Sequence, residues 1–158
     1  SKLVRAAMVT YKEKSGIKGD VLESLTESRL SVLERIKTQH CLCAELDGEI
    51  IGTITICKVT NPLKYNFSSK TFSLLSKYDS CSYISRFAVT ASARKTGVGI
   101  KLMDAALETS EFQDTGLVLL HTAISNRPMK DFYFNRGFGL LDTEPSRGYE
   151  RGLFYKIK

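Results

Sequence analysis

The segment Ala93 to Leu107, "ARKTGVGIKLMDAAL", is where this sequence most clearly offers chemistry. Met103, Ala106 and Leu107 recur at helical spacing. The start of that helix is unusual. Gly97 and Gly99 are poor helix formers, and Arg94 and Lys95 put positive charge where a helix dipole prefers negative. A strongly anionic ligand accounts for both features. Unpaired N–H groups at a helix N-terminus point at a phosphate, and glycine lets it come close. Three phosphate motifs can be told apart. A P-loop, G-x-x-x-x-G-K-[ST], fails because Ile100 follows Gly99, and a dinucleotide fingerprint, G-x-G-x-x-G, fails at Leu102. The pattern R-x-x-G-x-G is met by Arg94, Gly97 and Gly99.

Other reactive side chains are few. The four cysteines are Cys41, Cys43, Cys57 and Cys81. Cys41 and Cys43 alternate with Leu42 and Ala44, which directs both thiols to one face of a strand. Zinc needs paired C-x-x-C or histidines nearby, and only His40 is close. Free buried thiols and no metal are therefore expected. Reduced thiols fit a cytoplasmic protein. The net charge of +6 comes without a zinc-finger pattern, an RNA-binding motif or a dense basic run, so nucleic acid is not expected as the main partner. No apolar run approaches the ~20 residues of a membrane span, and no membrane partner is expected.

The elements that must position these residues follow from periodicity and punctuation. Residues 2 to 14 read as a helix ended by Gly16 and Gly19. Asp20 is placed to cap a longer helix reaching about Thr38, with Leu30, Leu33 and Ile36 among its apolar positions. "CLCAEL" and "EIIGTITICKV" read as strands joined by a hairpin at Asp47-Gly48. Residues 61 to 80 read as a long polar connection with a short helix near Phe72 to Lys77, placed to cover a site. The strand "CSYISRFAVT" leads into the helix at 98–107, and "GLVLLHTAI" is a further strand. "NRPMKDFYFNR" reads as a short helix begun by Asn126 and stopped by Gly137. "FGLLDT" and "RGLFYKIK" close the chain as strands around a turn with Pro145 and Gly148. This order predicts a mixed α/β sheet with helices on its faces.

Two segments carry a family resemblance. "SRFAVTASARKTGVGIKLMDAAL" resembles the acetyl-CoA-binding segment of the GCN5-related N-acetyltransferase (GNAT) superfamily, and "NRPMKDFYFNRGF" resembles its C-terminal N-x-x-x-x-x-F-Y-x-x-x-G-F element. They lie in the family's order and separation, and the early helices resemble its two-helix start. The resemblance implies one N-acetyltransferase domain over residues 1–158, with the family's first strand truncated or missing. It also implies a mostly antiparallel central sheet, splayed at the acetyl-CoA site and flanked by helices on both faces.

The resemblance assigns roles residue by residue. The backbone of Phe87, Ala88 and Val89 is expected to bond the pantetheine arm of acetyl-CoA like an added strand, and an N–H near Phe87 to polarise the thioester carbonyl. The amides of Arg94, Lys95, Thr96, Gly97, Val98 and Gly99 are expected to cradle the pyrophosphate, with charge-assisted contacts from Arg94 and Lys95. Tyr133 stands at the family's general-acid position, where a phenol can protonate a departing thiolate. Asn126 caps its helix, contacts the pantetheine arm, or does both. The base is open. Cys81, Tyr83, Ser85 and Phe87 share a strand face by alternation, and Tyr83 and Ser85 fall at the relevant positions without being obvious bases. His121 lies on the next strand, as a base or as an ordinary hydrogen-bonded sheet residue. Cys81 as an acyl-accepting nucleophile has no assigned activating partner.

The leading function is therefore transfer of acetyl from acetyl-CoA directly to a primary amine of a small molecule, peptide or protein. The rival is a non-catalytic acyl-CoA-binding module that regulates a partner. Homodimers are common in the family. No motif in residues 11 to 30 or 61 to 80 identifies the acceptor.

Overall fold

The structure is a computed structural model that describes residues 2–19, 21–144 and 148–158. Its centre is a six-stranded sheet in the order β1-β2-β3-β4-β6-β5. The strands are β1 (His40–Leu46), β2 (Glu49–Lys58), β3 (Ser82–Val89), β4 (Leu117–Ala123), β5 (Gly139–Glu144) and β6 (Arg151–Ile157). All neighbours run antiparallel except β3 and β4. The helices are α1 (Lys2–Ser15), α2 (Glu23–Thr26), α3 (Arg29–Thr38), α4 (Ser69–Leu75), α5 (Val98–Leu107), α6 (Ser110–Gln113) and α7 (Arg127–Phe134). Among the described residues, no helix is long and apolar enough to cross a membrane.

Apolar alternation on the central strands builds a layer on each side of the sheet. On one side Ile54, Ile56, Ile84, Val118 and Leu120 pack against Leu102, Met103 and Ala106 of α5, Phe112 of α6 and Tyr133 of α7. On the other, Cys81, Leu117, Leu119 and Leu153 pack beneath Phe67 and the apolar residues of α4. Ile17, Leu22 and Ala123 form a smaller cluster with Tyr11 of α1. The hairpin predicted at Asp47-Gly48 joins β1 to β2, with both residues at positive φ, as a two-residue primed turn requires.

The single long helix expected from Asp20 to Thr38 is instead two, and Asp20 itself lies outside the described residues. The helical path breaks between Thr26 and Arg29. Glu27 is extended at ψ 130°, and Ser28 restarts the helix by accepting a hydrogen bond from the Ser31 amide. Leu30, Leu33 and Ile36, expected on a core face, are 78%, 52% and 56% exposed. The break is held by charge. The Glu27 carboxylate pairs with Arg35 and receives Arg86 of β3 through two contacts of 3.3 Å, and its carbonyl accepts from Arg5 at 2.7 Å. Helical periodicity cannot signal this, because the partners are far apart in sequence. Glu27→Gln is expected to lower stability by roughly 1.5–3 kcal/mol, the usual cost of losing hydrogen bonds to a charged group. A urea unfolding midpoint equal to that of the wild type would show the cluster to be solvated and inert.

The connection at 61–80 contains a 3₁₀ turn at Pro62–Tyr65 and then α4. This helix starts earlier than the expected Phe72, because Ser68 caps it by accepting from the Thr71 amide at 3.3 Å. The final turn was expected around Pro145 and Gly148; Pro145 lies outside the described residues.

Candidate active site

The site begins where two parallel strands part. β3 and β4 are in register only from Ser82 to Ile84, opposite Val118 to Leu120. The pairing with β4 ends at Ile84, and Phe87 to Val89 lie beyond it. A bulge sharpens the divergence. The β2 register runs Thr55↔Ser85 and then Thr53↔Ala88, one residue too many on β3, and Arg86 sits at φ +52°. The two-fold alternation expected along β3 therefore fails at Arg86. Cys81 and Tyr83 pack on the α4 side, whereas Phe87 packs on the α5 side, with its ring 5.4 Å from Phe132.

Into this gap opens a cavity of about 810 Å³, large enough for a substantial organic ligand. Its wall includes Phe87, Ala88 and Val89 of β3, and Arg94, Lys95, Gly97 and Gly99 at the start of α5. Lys95 and Gly97 both have left-handed backbones, φ +65° and +89°. Left-handed residues in turns build the concave N–H arrays that bind anions. Gly99 is tight against the strand: a Cβ there would lie 3.3 Å from Cζ of Phe87. The side chains of two further members of the expected cradle serve the fold. The Thr96 hydroxyl donates to the Ala93 carbonyl at 2.7 Å, and Val98 packs into the core. Arg94 lines the cavity while its Nε donates to the Val89 carbonyl at 3.3 Å, tying the loop to the end of β3.

Tyr133 reaches the same cavity from α7. Burial holds its hydroxyl far above the ordinary phenol range, and the neighbouring Tyr11 and Tyr83 push it further. It therefore keeps its proton at any working pH. Asn126 lines the cavity and is anchored at both ends of its amide. Its Oδ1 accepts from the Met129 amide at 3.3 Å, capping α7, and its Nδ2 donates to Ser15 Oγ of α1 at 3.1 Å. Of its two expected roles, these contacts account for the cap.

The candidate bases converge. Tyr83, Ser85 and His121 all line the cavity. The Tyr83 hydroxyl lies 2.8 Å from His121 Nδ1, and His121 Nε2 lies 2.8 Å from the Glu144 carboxylate. Glu144 has no local sequence signal. It ends β5, 23 residues from His121, and only sheet pairing brings the two together. Its carboxylate also accepts from the Ser68 amide at 3.1 Å and from Arg151 at 3.4 Å. Burial raises the Glu144 carboxyl, but His121, the Ser68 amide and Arg151 outweigh burial and hold it below the usual carboxylate range. A second unforeseen residue is Tyr11 of α1. Its hydroxyl contacts Thr122 at 3.2 Å and accepts from the Ala123 amide, a main-chain group on the parted edge of β4. Cys81 does not suit a nucleophile. It is buried, and burial followed by the neighbouring Cys57 pushes its thiol up to about 12. All four thiols are free, and Cys43 is exposed.

A parted mixed sheet with a glycine-rich helix start at the opening is an acyltransferase architecture, and comparison with known proteins places the chain within it. The chain belongs to the acetyltransferase (GNAT) family, whose profile matches residues 3–139. Acetyl-CoA is the cosubstrate typical of that family. No curated protein matches the sequence significantly. Solved structures share the fold at low identity. One is the PaiA N-acetyltransferase from Thermoplasma acidophilum in complex with coenzyme A, with a TM-score of 0.72, 16% identity and coverage of 99% of this chain and 89% of that one. Another is a GNAT-family acetyltransferase from Streptococcus agalactiae, with a TM-score of 0.73, 14% identity and coverage of 99% and 87%. A third is FeeM, an N-acyl amino acid synthase from uncultured soil microbes, with a TM-score of 0.69, 12% identity and coverage of 99% and 89%.

Proposed function

We propose that this protein is an acetyl-CoA-dependent N-acetyltransferase that moves acetyl directly to a primary amine. The observation that carries the reading is the parting of β3 from β4 over a cavity that meets the glycine-rich start of α5. The residues present suit acetyl-CoA. Phe87 to Val89 lie beyond the last β3–β4 pair, and glycine at positions 97 and 99 puts no side chain in the way of an anion at the start of α5. The coenzyme A bound by the Thermoplasma acidophilum protein supports the same choice.

When bound, acetyl-CoA supplies an acyl group activated as a thioester. The chain's own residues then have three tasks. An amide near Phe87 donates to the carbonyl oxygen as it gains negative charge. Tyr133 holds a proton on its hydroxyl and gives it to the departing sulfur. Tyr83, Ser85 or His121 accepts the proton that the amine must lose, directly or through water. Tyr133 packs with the α5-side core and Tyr83 with the α4-side core, yet both line one cavity because the strands part between them. Acid and base thus approach the opening from opposite faces of the sheet, which keeps the incoming and outgoing protons apart. The non-catalytic reading leans on the lack of an acidic residue on β3; the contact of Tyr83 with His121 offers another basic group.

Calorimetric titration with acetyl-CoA, coenzyme A and ATP tests the proposal. Acetyl-CoA and coenzyme A are expected to bind in the micromolar range and ATP more weakly. An absence of acetyl-CoA binding to the wild type would overturn the reading.

A further inference from the structure

We propose that Tyr83, His121 and Glu144 form a proton relay that takes up the acceptor amine's proton as the bond to acetyl forms, with Glu144 as its positioning residue. This rests on the acetyl-transfer reading above. The relay crosses three strands: Tyr83 on β3, His121 on β4 and Glu144 at the end of β5. Its direction follows from donor chemistry. An ionised carboxylate only accepts, so the His121 nitrogen facing Glu144, Nε2, must carry hydrogen. In the neutral ring Nδ1 is then bare, and it is Nδ1 that lies 2.8 Å from the Tyr83 hydroxyl. Tyr83 donates to His121, its oxygen remains an acceptor by chemistry, and both residues line the cavity.

The surroundings fit proton transfer better than simple packing. The side chains of His121 and Glu144 are each 5% exposed. The Phe67 ring lies nearly parallel to the imidazole, with centroids 6.0 Å apart, and Tyr65 packs on Tyr83 at 4.6 Å, which shields the relay from water. A buried carboxylate is costly unless paired. Glu144 is held ionised by the Ser68 amide and Arg151 as well as by His121, so a negative charge already waits where an imidazolium would form. Titratable groups around the relay include Arg151 from β6, Tyr65 from the turn before α4 and the Cys57 thiol of β2, which contacts the Tyr65 hydroxyl at 3.7 Å. Tyr11 of α1 and Tyr133 of α7 line the same cavity.

The step balances. As the new nitrogen–carbon bond forms, one amine N–H bond breaks and its proton passes to the Tyr83 oxygen. The proton that Tyr83 held passes to His121 Nδ1. The resulting imidazolium is neutralised by Glu144 and, once the product has left, returns the proton through Tyr83 to water entering the cavity.

The chain has two histidines, His40 and His121, so ring nitrogens can be resolved by NMR with His40 as internal reference. The wild type is expected to show His121 as the Nε2–H tautomer. In Glu144→Gln its titration midpoint is expected to fall by about one pH unit or more, since removing a paired negative charge disfavours the imidazolium. The acid limb of kcat/KM should move down with it, and the plateau should fall at least about tenfold. Turnover would be read by thiol release from acetyl-CoA with tyramine, glycinamide and spermidine as acceptors. Tyr83→Phe removes only a hydroxyl, and it should lower the plateau by a similar factor if Glu144→Gln does not fold. Acetyl-CoA affinity should stay within about threefold in both variants. An Nδ1–H tautomer in the wild type, or acetylation with an unchanged pH profile in both variants, would overturn the relay alone. A wild type that neither binds acetyl-CoA nor acetylates any of the three amines would overturn the acetyl-transfer reading, and the relay with it.

Discussion

Tyr133→Phe is expected to lower kcat by about two to four orders of magnitude, the usual contribution of a positioned acid, while acetyl-CoA affinity changes by less than about threefold. The ring itself is structural. It lies 5.6 Å from Phe132, 5.7 Å from Phe138 and 5.6 Å from Phe154, and phenylalanine keeps all of that packing. Only the hydroxyl at the cavity wall is removed. Because burial holds that hydroxyl protonated well beyond the ordinary phenol range, Tyr133 contributes no falling limb near neutral pH. The variant should therefore lower the whole pH profile without changing its shape, unlike substitutions in the Tyr83–His121–Glu144 relay. Steady-state kinetics beside calorimetry decide the matter. A parallel loss of turnover and affinity would make Tyr133 a packing residue and return the acid's role to water.

What the sequence made legible, and what it hid, divides along the range of the interactions. Elements fixed by local rules were readable: the hairpin at Asp47-Gly48, the glycine-marked start of α5 and the Asn126 cap each depend on residues within a few positions of one another. The core strands were readable because their apolar content has nowhere else to go. The failures are long-range. The helix break at Glu27 depends on Arg86, 59 residues away. The bulge that turns Phe87 to the α5 side leaves no mark in the alternation of residues 81–90, which looks regular on paper. Arg86 tolerates positive φ there although it is neither glycine nor asparagine, and its guanidinium is anchored to Glu27. The bulge, the parting of the strands and the break between α2 and α3 are thus linked through one carboxylate. The proposed relay shows the same division. Tyr83 and His121 could be nominated singly, but a relay needs Glu144, which only the β5–β6–β4 pairing delivers.

The largest expected effect on binding comes from Gly97→Glu, which should weaken acetyl-CoA at least about a hundredfold. Gly97 precedes α5 in the left-handed region, and a Cβ built on it would meet nothing within 4 Å. The cost to folding is therefore the backbone strain alone, roughly 1–2 kcal/mol, and not a clash. The cost to binding is larger. A carboxylate at this helix start would compete for the amides that the pyrophosphate needs and oppose its charge. Losing two charged hydrogen bonds at about 1.5 kcal/mol each corresponds to about two powers of ten in affinity. Gly97→Asn separates the two costs. Asparagine accepts left-handed geometry better than other side chains and carries no charge, so its affinity should stay within about tenfold of the wild type. Calorimetry on the pair, with unfolding midpoints measured alongside, distinguishes the cases. If both variants bind as the wild type does, the glycines serve only the turn and the anion site lies elsewhere. If Gly97→Glu alone loses acetyl-CoA, the two glycines and two cations that make this helix start so unlike an ordinary one hold a phosphate.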